Sequence, residues 1–191
     1  MDATRALPLP LLRAATGPDA DPWATPFAAA ATLDPDGLAA LYDLAARALY
    51  GFALWRTGRA DVAEDAVQEV FCRLAAGAAR GRTVRHPRAW LLAAVRRAAI
   101  DHLRKTARET ALPDPAPFLS PESPEREAEA RALSRAVAAL TPRLREAVYL
   151  RHFAGLTFAE MGRVLGVPTF TAASRCRLGV ERLRLDLGAD R

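Results

Sequence analysis

From Leu38 onward, apolar residues return every three or four positions, the period of a helix with one buried face. Leu38, Leu41, Tyr42, Ala45, Leu49 and Phe52 mark a first helix running to about Trp55, which the turn Thr57-Gly58-Arg59 ends. Asp61 stands where a cap for the next helix is expected, and Ala63, Ala66, Val67, Val70, Phe71 and Leu74 make that helix's stripe. Gly77 and Gly81 break the pattern. Pro87 suits a helix start, and the helix from Arg88 to about Ala107 carries Leu91, Val95, Ala98, Ala99, His102 and Leu103 on its apolar side.

The pattern resumes with Ala128, Leu133, Val137 and Leu140, restarts at Thr141-Pro142 and continues through Leu144, Ala147, Val148 and Phe153. Thr157-Phe158-Ala159-Glu160 fits a capping box, in which threonine and glutamate each satisfy the other's free backbone N–H. Phe158, Met161, Gly162 and Leu165 form the expected inner face of that short helix, and Gly166 closes it. Val167-Pro168 opens the last helix, with Ala172, Cys176, Val180, Leu183 and Leu187 facing inward. Two short helices across a tight glycine-containing turn are a helix-turn-helix signature. No segment shows the strand period, and no internal repeat is visible.

These elements predict an all-α protein of two small helical domains. Residues 36–109 form the first and 126–191 the second. Between them, residues 110–125 contain Pro113, Pro115, Pro117, Pro121 and Pro124, a density that no helix survives, so the segment reads as an extended linker. Residues 1–35 are rich in Ala, Pro, Asp and Thr without a sustained period; they read as a largely disordered extension with at most a short helix around Pro26–Leu33.

Charge sharpens this picture through its distribution. The 191 residues carry a formal net charge of +5, but residues 77–109 hold nine basic and two acidic groups, and residues 126–191 hold twelve and seven. Acidic or near-neutral chain separates these blocks, which suggests two contacts with a polyanion, each driven by release of condensed counterions. Cys72 and Cys176 give no disulfide framework and fit a reducing cytoplasm. His86, His102 and His152 show no metal-ligand spacing, and no cofactor motif is present. No apolar run approaches the length of a membrane span, and prolines and acids interrupt the N-terminus where a signal peptide would need a helix.

Three constellations carry candidate chemistry. On the second helix, Asp61, Glu64, Asp65, Gln68 and Glu69 cluster on the surface. They read as a solvated face or as a docking site for a basic partner, and the chain lacks the nucleophile or phosphate loop that an enzyme would add. On the third helix, Arg88, Arg96, Arg97, Arg104, Lys105 and Arg108 surround the core stripe, with Trp90 near the start. Such interleaving suits single-stranded DNA, whose bases stack on rings while phosphates meet guanidinium groups; Trp90 reads equally as a core residue. On the last helix, Thr169, Phe170, Thr171, Ala173, Ser174, Arg175, Arg177 and Leu178 face outward, where a recognition helix needs hydroxyl and guanidinium groups.

Taken in order, these segments resemble the extracytoplasmic-function sigma factors of bacterial RNA polymerase. Asp61 to Phe71 is similar to the family's D-x-A-E-D-x-V-Q-E-x-F segment. Pro87-Arg88-Ala89-Trp90-Leu91, with Val95, Arg96, Asp101, Leu103 and Arg104, resembles its R-x-W-L…D-x-L-R helix. Leu140-Thr141-Pro142, Arg145, Leu150-Arg151, Gly155 to Glu160 and Ser174-Arg175 resemble its C-terminal domain. The likeness covers about residues 38–187.

The resemblance implies a non-enzymatic cytoplasmic protein that binds core polymerase and promoter DNA, without cofactor or metal. Asp61, Glu64, Asp65, Gln68, Glu69 and Phe71 would dock on the polymerase clamp coiled coil, and the flap is a further contact. Arg80, Arg82, Arg85, Arg88, Trp90, Arg96, Arg97 and Arg104 would capture and melt the minus-ten element. Arg151, Thr169, Thr171, Ala173, Ser174, Arg175, Arg177 and Leu178 would engage the minus-thirty-five element. An anti-sigma factor is an implied partner. Two departures stand out: Phe170 to Arg175 replaces the common G-T-V-K-S-R, losing a lysine, and the family's first short helix is not visible before Asp36. The competing reading is a stand-alone helix-turn-helix regulator, which would bind its operator without polymerase.

Overall fold

A computed structural model describes residues 21–106 and 127–189, with the side chains of 21–105 and 131–188. The proline-rich segment 110–125 lies outside the described residues, as do residues 1–20. Among the described residues every regular element is helical: α1 Ala24–Ala31, α2 Pro35–Thr57, α3 Ala60–Ala75, α4 Pro87–Thr106, α5 Glu127–Ala139, α6 Pro142–Val148, α7 Phe158–Leu165 and α8 Thr169–Ala189.

Order extends further toward the N-terminus than the periodicity suggests. Residues 21–35, read from sequence as largely disordered apart from a short helix around Pro26–Leu33, include α1, which starts two residues earlier, and Trp23, Phe27 and Ala30 bury themselves against the neighbouring helices. Phe27 meets Trp90 of α4 edge-on, with ring centroids 5.4 Å apart. A helix of eight residues offers barely two apolar repeats, too few to stand out in an alanine-rich stretch. Its stability comes from tertiary packing, since isolated helices this short are marginal in water.

The longer helices obey local rules. Asp34 caps α2, its carboxylate accepting the Asp36 backbone N–H at 3.2 Å, with Pro35 at the first helical position. Gly58 ends that helix in the left-handed region at φ 70°. Asp61 does not cap α3: Arg59 holds that position, and Asp61 lies within the first turn, where its carboxylate accepts from the Arg59 guanidinium. An acid there still complements the positive end of the helix. The stripe Val62, Ala63, Ala66, Val67, Val70, Phe71 and Leu74 is buried as one face.

In the C-terminal half, α6 runs directly into a π-helical turn, Tyr149–Phe153, marked by the Ala154 N–H donating to the Tyr149 carbonyl at 2.9 Å. Thr157 and Glu160 form a complete capping box at the start of α7, and Gly166 ends it at φ 66°. Phe158 departs from its expected inward position; it is partly exposed, with the Arg151 guanidinium 4.9 Å over its ring. Met161, Gly162 and Leu165 are buried as expected, and Val164 joins them.

The two helical halves pack against each other, and their buried residues form one continuous core. Helix α6 and its π-helical turn lie on α2, and α7 lies against α4. Tyr149 sends its hydroxyl to the Ala48 carbonyl at 2.8 Å, while its ring sits among Phe52, Trp55 and Phe153. Neither half's periodicity reveals this contact.

Candidate nucleic-acid interface

Helix α8 positions the recognition candidates. Ala172, Cys176 and Leu183 anchor one face in the core, which turns Thr169, Phe170, Arg177 and Leu178 outward. Phe170 is 73% exposed and Leu178 52%. Thr171, Ala173, Ser174 and Arg175 are half-buried along the shoulders of this face. Arg151 reaches the same side from the π-helical turn, donating to the Leu156 carbonyl at 3.0 Å while it covers Phe158. The surface combines hydroxyls, guanidinium groups and exposed apolar groups at a helix N-terminal half, the equipment for base edges and thymine methyls in a major groove.

Beneath it, His152 Nε2 and Cys176 Sγ lie 3.8 Å apart. Burial, aided by Arg151 and Arg184, pushes the His152 pKa below its usual value. Burial raises the Cys176 thiol, with Arg151 opposing. A thiol held protonated is a poor nucleophile. Among the described residues no group of three His, Cys, Asp or Glu side chains is placed to hold a metal ion.

The tight approach of α7 to α8 depends on Gly162. A methyl group there would fall 2.8 Å from the Val167 carbonyl oxygen, so only glycine lets the turn close at this angle.

The minus-ten candidates divide into two groups. Arg80, Arg82 and Arg85 on the loop, with Arg97 and Arg104 on α4, are exposed, although Arg104 also pairs with Asp101 at 3.6 Å. Arg88, Trp90 and Arg96 are half-buried. Arg88 donates its backbone N–H to the Asp21 carboxylate at 3.2 Å and holds its guanidinium 5.8 Å from the Trp23 ring. Burial lowers its pKa, against the opposing pull of Asp21 and Glu160. Trp90 meets Phe27 of α1 edge-on and is half-buried, so it packs against α1 while keeping some exposed surface. Arg96 donates to Glu146 of α6 at 2.8 Å.

The acidic face of α3 is as expected for Asp61, Glu64, Asp65 and Gln68, which are exposed. Glu69 is half-buried and shared, with His102 Nε2 at 2.6 Å on one side and Arg73 as an ion-pair partner on the other. Phe71 departs from the others: it is buried, edge-on to Tyr42 at 4.9 Å. Its ring forms part of the wall of an open groove of about 700 Å³ between α2 and α3, lined also by Leu38, Tyr42, Tyr50, Glu64 and Gln68. Sequence reasoning placed the acids but missed this apolar floor beside them, since Tyr42 and Leu38 were assigned wholly to the core.

Known proteins resemble this chain over both helical halves. The family model of Sigma-70 region 2 matches residues 41–109, and that of Sigma-70 region 4 matches residues 130–183. ECF RNA polymerase sigma factor SigL of Mycobacterium tuberculosis is 32% identical over 154 residues, spanning 78% of this chain and 87% of that protein. ECF RNA polymerase sigma factor SigK of a Mycobacterium species is 29% identical over 165 residues, with 81% and 85% covered. In fold, the chain is similar to the sigma factor RpoE solved with the anti-sigma factor NepR from Bartonella quintana, at TM-score 0.59, 24% identity, and coverage of 78% and 96%. It is also similar to CnrH solved with the cytosolic domain of CnrY, at TM-score 0.62, 20% identity, and coverage of 87% and 97%.

The chain belongs to the ECF sigma factors of bacterial RNA polymerase. It therefore binds core polymerase and promoter DNA and directs promoter-specific transcription; a stand-alone regulator would not account for both matched regions in this order. None of the described helices is long and apolar enough to cross a membrane.

Proposed function

We propose the following division of labour within this sigma factor. The acidic face of α3, through Asp61, Glu64, Asp65, Gln68 and Glu69, docks on the clamp coiled coil of core polymerase, with Phe71 shaping the adjacent groove. The loop Arg80–Arg88 and α4 hold the separated strand of the minus-ten element, phosphates on Arg80, Arg82, Arg85, Arg97 and Arg104. Helix α8 reads the minus-thirty-five element through Thr169, Thr171, Ala173, Ser174, Arg175, Arg177 and Leu178, with Arg151 on the backbone. Residues 110–125 tether the halves so that polymerase, once bound, presents both at fixed spacing. The polymerase flap holds the C-terminal domain, an anti-sigma factor covers these surfaces when the protein is silent, and the chain, working in the cytoplasm, performs no catalysis itself.

The observation that carries this reading is the outward face of α8, where Thr169, Arg177 and Leu178 are exposed while Ala172 and Cys176 fix the helix in the core. The test is run-off transcription with purified core polymerase on candidate promoters, comparing the native chain with Arg175→Ala/Arg177→Ala. Initiation should require the chain and fall at least tenfold in the double variant, with core association intact. Full promoter use by that variant overturns the α8 assignment.

A further inference from the structure

The N-terminal end of α8 carries no charge. Thr169, Phe170, Thr171, Ala172, Ala173 and Ser174 all precede its first cation, Arg175. Ala172 and Cys176, buried in the core, fix the rotation of the helix. Phe170, Ser174 and Arg177, spaced by four and then three residues, therefore share one outward line. Phe170 is the most exposed of the large apolar side chains among the described residues. No ring or guanidinium among those residues packs on it. The backbone beneath it is held: the Val167 N–H donates to the Gly162 carbonyl at 3.0 Å, and the Thr171 N–H to that of Pro168 at 3.0 Å.

A second, independent observation is the shape and charge beside this ring. Ala173, one turn along α8 from Phe170, opens onto a groove of about 600 Å³ whose walls include Arg151, Phe158, Arg177 and Arg184. The guanidinium groups there suit phosphates, whereas the neutral end of the helix has none to offer. The N-terminal residues of a recognition helix are the ones that meet base edges. Of the groups that base pairs display in the major groove, only the C5-methyl of thymine is apolar. An uncharged, outward ring without donor or acceptor, set beside phosphate-binding arginines, matches that group.

We propose that Phe170 is a specificity-determining residue, its ring packing on the C5-methyl of a thymine in the minus-thirty-five element. The proposal rests on the reading of α8 as the helix that enters that element. Ring and methyl leave water together, so thymine gains over a base that lacks the methyl. Cytosine at the same position would also bring its amino donor against an apolar surface and lose its water partners there. Arg151 and Arg177, on neighbouring phosphates, set the register in which the ring meets one base pair and not the next. A ring that packed on sugars of the backbone would add affinity without preference for any base.

Holoenzyme reconstituted from purified core polymerase and the full chain provides the test. Rounds of transcription on a duplex library randomised upstream of the start site yield a working template. Each thymine of its minus-thirty-five window is then replaced singly by deoxyuridine, which removes the methyl and leaves base pairing intact. Native holoenzyme should lose about fourfold in affinity at one thymine, the worth of one apolar carbon returned to water. Phe170→Ala should bind the parent template more weakly, with its thermal melt unchanged, and should ignore that methyl. A selected window without thymine, a native holoenzyme indifferent to every methyl, or a Phe170→Ala variant that keeps the response overturns the proposal. Weakened core association in Phe170→Ala also overturns it, since the ring would then serve polymerase. Arg175→Ala/Arg177→Ala on the same template separates the two readings. Native binding by that variant means α8 is not the reader, whereas weakened binding beside a flat deoxyuridine series removes Phe170 alone.

Discussion

The Glu146 carboxylate meets the Arg96 guanidinium at 2.8 Å across fifty residues of sequence, with the acid wholly removed from water. Breaking such a pair leaves a charge in surroundings that solvate it poorly. Glu146→Gln should therefore lower the unfolding free energy by about 2–4 kcal/mol, toward the low side of buried pairs because Arg96 keeps some access to water. With Arg96→Met added, the losses should overlap, with a coupling above about 1 kcal/mol in a double-mutant cycle by urea denaturation. Strictly additive losses would show that the two side chains do not meet in solution.

Gly162 is a helical glycine facing a close neighbour, the backbone carbonyl of Val167 inside the same helix-turn-helix. Gly162→Ala should cost about 1–3 kcal/mol through overpacking, despite the gain in helix propensity. The measurement is a thermal melt followed by circular dichroism, and a raised midpoint would contradict the turn geometry.

The capping box of α7 should be visible in acid. Burial alone would raise the Glu160 pKa, but hydrogen bonds from the Thr157 hydroxyl and backbone N–H, with help from Arg88 and His86, bring it below the usual value. A depressed folded-state pKa contributes stability above the unfolded value, lost as pH falls through the folded one. Native protein should thus lose stability relative to Glu160→Gln as pH drops below 4.5, the ordinary value for this group. Thr157→Ala should cost about 1 kcal/mol at neutral pH. A gap between the native chain and Glu160→Gln that stays constant down to acid would show that the carboxylate is not charged in the cap.

Helix α1 supplies a prediction about the N-terminal half. Phe27 is buried and braces Trp90. Phe27→Ala should destabilise by about 3–5 kcal/mol and change the tryptophan fluorescence of the folded protein. A loss below about 1 kcal/mol would mean that α1 is not docked in solution.

On the acidic face, Glu69 is a poor residue to invert, since it also holds His102 and Arg73. Glu64 and Asp65 are exposed and have no such structural duty with α4 beyond the 4.0 Å approach of His102 to Asp65. Glu64→Lys/Asp65→Lys should weaken core polymerase binding about tenfold, equivalent to roughly 1.4 kcal/mol, with the helix signal intact. Undiminished affinity in a pull-down titration would remove docking from this face.

Much of this was legible in one dimension. The stripe of α3, the box Thr157–Glu160, the stop at Gly166 and the inward set Ala172, Cys176 and Leu183 follow from a 3.6-residue period and from the few side chains able to satisfy free backbone groups at helix ends. These are local constraints, so local sequence determines them. The outward address of Arg177 and Leu178 follows from the same period. What tertiary structure decided is what each face meets. Phe158 turned outward under Arg151, Phe71 became part of the wall of a groove, and α1 was ordered by Trp90. Arg96, one more surface arginine by pattern, was claimed by an acid from the other half. Periodicity states that a face is apolar or charged; the partner is fixed only when two stretches far apart in the chain reach the same place, and burial then sets the strength of their charges.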